Sequence, residues 1–477
     1  MLLNPDTFVP NTGAGYLADT SANDFYVPVV SASQLRVDLI SYFASLDYDF
    51  NKKYGVVGSY RRDASSRFLG KTNQSKSFWS FGARWNLEEE NFVKSLNIFD
   101  VLKLRGSTGT VGNQRIVDGT VFAGVIPPGF ADIYSIGNNA YNGGQGYNIA
   151  FGYPDLRWET TKQYNIGLDF ELFKSRLRGA FDIYNRNTYD LFLSEPISPA
   201  VGALSITKNS NANITNKGVE LNIAYDVIKN SNVTLTLRAN GSKNKNVVDG
   251  IKTNNGQIFA GTAPSYLTQN GGTIEEPYVY PYIGVNPANG NLLFEDINGN
   301  PTETPTTADR RASGKNYIPV YQGGFGFDFD YKGFFVSTTF TYAFDVWRFD
   351  FDLQNLYDPS NIGTFNVTDD LLNAWTPTNT NTQVPALKAA NYAAADDSDR
   401  FLRDASYIRL RNVQLGYKIP KRFIEKTFFK DVTLNVQGEN LFNITKWRGF
   451  DPESDRNADV YQYPTPRIIT LDRKSVV

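Results

Sequence analysis

The chain has no cysteine and no histidine among its 477 residues. Disulfide frameworks, thiolate metal sites and cysteine nucleophiles are therefore excluded. The usual general base, the serine–histidine–aspartate triad and most zinc sites go with them; carboxylate-only chemistry stays open. A basic excess is also missing: 47 Lys and Arg stand against 49 Asp and Glu, net charge −2, which argues against nucleic acid as a partner. No apolar run approaches the roughly 20 residues that a membrane helix needs. The first residues, MLLNPDTFVP, lack a charged region before an apolar stretch and do not read as a secretion signal.

What is abundant is β-forming and turn-forming chemistry: 34 Phe, 28 Tyr and 39 Gly. A mean hydropathy of −0.37 is compatible with a membrane barrel, whose lumen and loops are polar. Period-two alternation dominates over runs of about ten residues. In 160–172, Tyr164, Ile166, Leu168, Phe170 and Leu172 share one face, and Gln163, Asn165, Gly167, Asp169 and Glu171 the other. In 334–345, Val336, Phe340, Tyr342 and Phe344 share a face interrupted by Thr338, and similar patterns fill 36–50, 219–227 and 432–439. Such a sheet fits a soluble sandwich or a lipid-facing barrel, and alternation alone does not choose.

Connection lengths favour the barrel. Asn51–Lys53, Lys174–Ser175, Lys229–Asn230 and Tyr331–Gly333 are tight links, whereas 112–156, 246–315 and 347–405 are long and polar. Short periplasmic turns and long extracellular loops alternate in this way in outer-membrane barrels. The pattern predicts thirteen strands, near 34–50, 53–63, 76–88, 100–111, 157–172, 176–195, 214–228, 231–245, 316–331, 333–346, 406–418, 430–442 and 465–471. A helical stretch, Glu88–Leu96, is expected at a periplasmic turn.

Several segments, in order, resemble the SusC/RagA group of TonB-dependent transporters. They are YRRDASSRF from Tyr60, FGARWNLEEENFVKSLNIFDVLKLRGSTGTVGNQ from Phe81, and YPDLRWETTKQYNIGLDFELFKSRLRGAFDIYNRNTYDLF from Tyr153. ITNKGVELNIAYDVI from Ile214, SYIRLRNVQLGYKIPKRF from Ser406 and NVQGENLFNITKWRGFDPE from Asn435 complete the set. The resemblance implies an all-β, transmembrane antiparallel barrel of about 22 strands around an N-terminal plug. About thirteen of those strands are expected here, and the plug is not. It further implies import of oligosaccharides or peptides with a SusD-like surface lipoprotein, driven by TonB through the plug, in a bacterial outer membrane.

On this reading residues 1–471 are the C-terminal portion of the barrel. The closing six residues, Asp472 to Val477 (DRKSVV), match the translation of a widely used sequencing adapter and are expected to be a non-native tail. Asn165, Asp169, Asp182 and Asn222 are expected to face the lumen. Trp85, Trp158 and Trp447 suit either interfacial girdles or packing under loops. Tyr141 and Tyr147 in a Gly/Asn/Tyr-rich loop, with Trp375 and Tyr392, are candidate substrate contacts. Asp296, Asn298 and Asn300 alternate around Gly299 and could ligate Ca²⁺, although an ordinary Asn-Gly turn accounts for the same residues. No other cofactor is indicated. Asp396, Asp397 and Asp399 could in principle serve a glycosidase, but the expectation is solvated surface and no enzyme. A secreted glycan-binding sandwich and a non-transporting outer-membrane receptor or adhesin are the competing readings.

Overall fold

A computed structural model describes residues 37–69, 71–114, 133–141, 144–203, 205–252, 254–260, 264–453 and 464–476. Thirteen strands form one antiparallel sheet in which each strand pairs with its neighbour in the chain. They are β1 (Leu39–Phe50), β2 (Tyr54–Ser65), β3 (Ser75–Asn86), β4 (Phe99–Asn113), β5 (Glu159–Leu172), β6 (Leu177–Tyr189) and β7 (Asn213–Lys229). β8 (Val233–Asp249), β9 (Tyr321–Tyr331), β10 (Phe334–Phe344), β11 (Tyr407–Lys418), β12 (Asp431–Thr445) and β13 (Ile468–Val476) follow. Every strand read from the alternation is present. The run expected over 176–195 ends at Tyr189, because Asp190 turns the chain with φ 57°. Phe192–Pro196 then pairs with Ser205–Asn209 in a separate hairpin. The final strand starts at Ile468 and stays paired with β12 as far as Val476. Leu87–Glu89 and Asn91–Lys94 are short helical turns, where Glu88–Leu96 was expected to be helical.

One end of the sheet is closed by tight turns. In the β9–β10 link, Lys332 (φ 48°) and Gly333 (φ 95°) adopt the left-handed conformations of a two-residue hairpin turn. The other end carries the long connections.

The register sorts side chains onto two faces. Asp169, Lys103 and Gly167 lie on one face with Asp182, Asn222 and Asn240. The opposite face is aliphatic and aromatic, and it stays open: Ile166 is 62 % exposed and Ile183 51 %. A sandwich would seal these rows beneath a second layer; among the described residues no second sheet covers them. Aromatic pairs reinforce the outer face, as where Phe325 and Phe340 stack directly across β9 and β10 at 4.9 Å. Rows of this kind match a hydrocarbon solvent.

The tryptophans divide. Trp85, on the outer face beside the tight turns, stacks with Tyr54 and donates its indole N–H to Glu90 at 3.2 Å, a girdle geometry. Trp158 is buried with Phe68, Phe78 and Leu156 and donates to the Gln74 carbonyl at 3.0 Å. Trp447 is buried with Val346 and Ala405. Both pack under loops.

Leu168→Arg should destabilise the folded barrel by roughly 2–4 kcal/mol, since it places a cation midway along the hydrocarbon-facing row. Asn222→Arg, on the wet face, should change stability far less. Denaturant titration of the intact protein in lipid vesicles checks both.

Candidate functional site

The polar face carries a chain of ionic contacts. Arg105 on β4 reaches Asp169 on β5 at 3.1 Å and Asp182 on β6 at 2.7 Å. Gly167 lies beneath this triad: a Cβ there would sit 2.5 Å from the Arg105 guanidinium carbon and 2.6 Å from an Asp182 oxygen. Further along, Arg238 contacts Asp328 at 3.0 Å and the Thr338 carbonyl at 2.7 Å. Asn165, Asp169, Asp182 and Asn222 therefore lie on one face of the sheet. Asp169 and Asp182 are bound to Arg105, whereas Asn222 is exposed. Toward the loop end the wall deepens into a pocket of about 920 Å³, lined by Asp182, Asn222, Asn240, Gln322, Tyr407 and Arg411 among others.

Above the wall sits a folded cap, which the sequence reading treated as long polar loops. The chain between β8 and β9 forms a small sheet from Gln257–Ala260, Ser265–Gln269, Glu276–Val279 and Arg311–Ala312, and a second from Tyr282–Val285, Leu292–Glu295 and Pro301–Thr302. The chain between β10 and β11 adds the helix Phe351–Tyr357, N-capped by Asp350. The two segments share one core, in which Tyr280, Leu292 and Phe294 meet Leu353, Tyr357, Leu371 and Phe401. Backbone bonds join them as well, Tyr280 N–H to the Asp397 carbonyl (2.8 Å) and Ala386 N–H to the Gly290 carbonyl (2.9 Å).

The Asp396–Asp399 cluster is not solvated surface. Asp397 pairs with Arg310 at 2.7 Å, Asp399 accepts the Tyr282 N–H at 2.7 Å, and Asp396 accepts from Gln354 at 2.6 Å. Burial pushes all three carboxyls above the usual range. Asp397 and Asp399 tie the two cap segments together, and Asp396 braces the second segment through the cap helix. Arg400 does the same through rings, its guanidinium lying 5.0–5.7 Å from the centroids of Tyr282, Tyr357, Tyr392 and Phe401.

Two of the proposed contact residues serve this packing. The Tyr392 hydroxyl donates to the Tyr357 carbonyl, and burial pushes it up to about 12. Trp375 donates to the Pro287 carbonyl at 3.0 Å. Its ring lies over Gly290, where a Cβ would come within 2.6 Å. Tyr141 and Tyr147 belong to the hairpin Ile133–Tyr141 and Gly144–Ala150, and their side chains lie outside the described residues. Asp296 accepts the N–H groups of Asn298 (2.8 Å) and Asn300 (2.7 Å), while Gly299 turns the chain at φ 84°. Asp296 Oδ1 thus takes the two backbone donors of a tight turn. Among the described residues no group of three or more acidic side chains is arranged to hold a metal.

A third connection, after β12, is latched to the wall. Buried Arg409 pairs with Asp451 and lies 3.2 Å from Glu453, which also binds Arg411. Arg448 reaches up to Asp370 at 2.7 Å. The Tyr357 hydroxyl and Arg448 beside Asp370 hold its carboxyl below the usual range.

A family model described as TonB dependent receptor-like, beta-barrel matches residues 4–441. The chain belongs to that family. Its relatives make it a member of the SusC/RagA type, proteins of the bacterial outer membrane. It is 33% identical to TonB-dependent receptor P3 of Formosa agariphila, over 91% of this chain and 45% of that protein. It is 28% identical to TonB-dependent receptor SusC of Bacteroides thetaiotaomicron, over 91% and 43%. The solved RagAB peptide transporter superposes with a TM-score of 0.80 at 25% identity, over 92% of this chain and 47% of that one. The chain thus spans somewhat less than half the length of these relatives.

Two outcomes follow. Phe294→Ala should remove about 3–5 kcal/mol from the cap core, read as lost hydrogen-exchange protection over 280–295 and 351–401 with the barrel strands unchanged. Asp370 has a lowered folded-state pKa, so its contribution is present above the ordinary carboxylate pKa of about 4 and disappears as pH falls through the lower folded value. Cap protection in Asp370→Asn should therefore fall below wild type at neutral pH and converge with it in acid.

Proposed function

We propose that this chain is the C-terminal barrel part of an active importer. It takes oligosaccharides or peptides through the outer membrane, together with a SusD-like surface lipoprotein. TonB would pull on a plug supplied by the remainder of the protein. The observation that carries the reading is the combination of a wet, ion-paired wall with a cap folded over the loop end. A passive porin needs only short constricting loops, whereas a cap with its own hydrophobic core forms a built surface that can meet a lid protein. Polar groups lining the pocket beneath it, Asn222, Asn240 and Gln322, can donate to and accept from sugar hydroxyls or peptide amides alike, so both substrate classes are carried forward. The relative whose solved structure is named a peptide transporter supports the peptide arm, and SusC supports the family's transporter character rather than one substrate.

The cap also leaves large apolar side chains in water. Leu372 is 88 % exposed and Phe365 63 %, both in the segment following the cap helix. Exposed apolar residues on a rigid surface suit a protein partner. A receptor or adhesin on the same scaffold would bind its ligand without moving it inward.

Deleting the complete gene should abolish uptake of a labelled oligosaccharide or peptide pool and leave surface binding of unrelated ligands intact. Surface capture without accumulation inside the cell would instead favour the receptor. The pair Phe365→Glu and Leu372→Glu should weaken co-purification of the surface lipoprotein about ten-fold or more, since interface anchors carry over 1 kcal/mol each. Thermal unfolding of the barrel should stay unchanged.

A further inference from the structure

The outer face of β5–β8 changes character near the loop end. Consecutive cross-strand rows can be followed by register. The row Leu168, Phe181, Leu221, Gly241 is apolar; the next is Ile166, Ile183, Val219, Lys243; the next is Tyr164, Asn185, Lys217, Lys245. Two lysines, Lys217 and Lys245, therefore stand directly opposite one another on the same face. Like charges in that arrangement repel, and no carboxylate lies on these rows to offset them. Lys217, Lys243 and Lys245 are exposed; the Lys243 ammonium lies 5.3 Å from the centroid of the Tyr321 ring, and among the described residues none of the three forms a salt bridge with a carboxylate. Lys229, at the tight-turn end of β7, is by contrast paired with Asp226 at 2.9 Å.

The same residues outline a groove of about 500 Å³. Its floor is Tyr164, Ile166, Ile183 and Val219, and its rim is Lys217, Lys243, Lys245 and Asn185. An apolar floor on the hydrocarbon side and a cationic rim on the outer side fit one kind of occupant. β5–β8 are interior strands of the sheet, so chain joining at the β1 or β13 edges would not cover them, and the lumen lies on the opposite face.

We propose that this groove binds a phosphorylated lipid of the outer leaflet, with its acyl chains on the Ile166–Val219 floor and its phosphate between Lys217, Lys243 and Lys245. The anion relieves the repulsion between Lys217 and Lys245, and Asn185 supplies a neutral donor beside it. Basic side chains at a membrane surface attract anionic headgroups in this way.

The test uses the intact protein, purified in mild detergent and examined by native mass spectrometry. Three probes are added separately: bis-phosphorylated lipid A, the same lipid after phosphatase treatment, and inorganic phosphate. Wild type should retain the phosphorylated lipid and release the dephosphorylated one. The triple variant Lys217→Gln, Lys243→Gln, Lys245→Gln should lose affinity by on the order of a hundred-fold, at roughly five-fold per lysine. Lys332→Gln, which removes a charge at the opposite end, should bind as wild type does. Retention of the heat-resistant folded band on electrophoresis shows that a variant has folded; if the triple variant has not, Lys245→Gln alone, with its five-fold loss, carries the test. Equal binding by wild type and variant, equal retention of the dephosphorylated lipid, or displacement by inorganic phosphate at matched concentration overturns the proposal. A change in oligomeric state without a change in lipid retention also overturns it and assigns the groove to a second copy of the chain.

Discussion

Water is missing from the hydrocarbon layer of a membrane, and the backbone must answer for that. Each strand residue brings a donor and an acceptor that cost several kcal/mol if left unpaired in lipid. Thirteen strands therefore pair neighbour to neighbour with few register breaks, and a side-chain period of two follows along every one. That period is what allows one surface to carry Ile166, Ile183 and Val219 while the other carries Asp169, Asp182 and Asn222. Sorting of polar from apolar is thus a by-product of backbone pairing.

Within the wet face, charge is organised rather than diluted. Arg105 gathers two aspartates from two successive strands, and Gly167 between them leaves room for the guanidinium. Arg409 binds acids from the far connection. Through Asp182 for Arg105, and through Asp451 and Glu453 for Arg409, the arginines stitch elements that the backbone ladder does not join directly. Partly buried pairs of this sort add geometric definition more than net stability, because desolvation offsets much of their attraction. Removing one partner would nevertheless leave a stranded charge.

The strands were legible in the sequence because alternation is local. Residues 160–172 announce their two faces without reference to anything else in the chain. Tight turns such as Tyr331–Gly333 were equally legible, as short gaps between two alternating runs. The cap was not. Its core joins Leu292 and Phe294 to Tyr357, Leu371 and Phe401, residues separated by dozens of positions and set in no period. Asp396, Asp397 and Asp399 looked like solvated surface because their partners, Arg310, Tyr282 and Gln354, lie elsewhere in the chain. Tyr392 and Trp375 looked like free aromatic faces for the same reason. Trp158 and Trp447 could not be divided from Trp85 without knowing which loops fold back over them.

The two segments that build the cap flank a single hairpin, β9–β10. Neither holds the apolar residues of the shared core by itself, so the cap cannot close until that hairpin has delivered both flanks to the same side of the bilayer. Connectivity makes the closed cap contingent on the hairpin: the shared core needs both of its flanks on one side of the bilayer. Phe294 and Phe401, buried in that core, come one from each flank. An uncondensed cap would present that apolar surface to water.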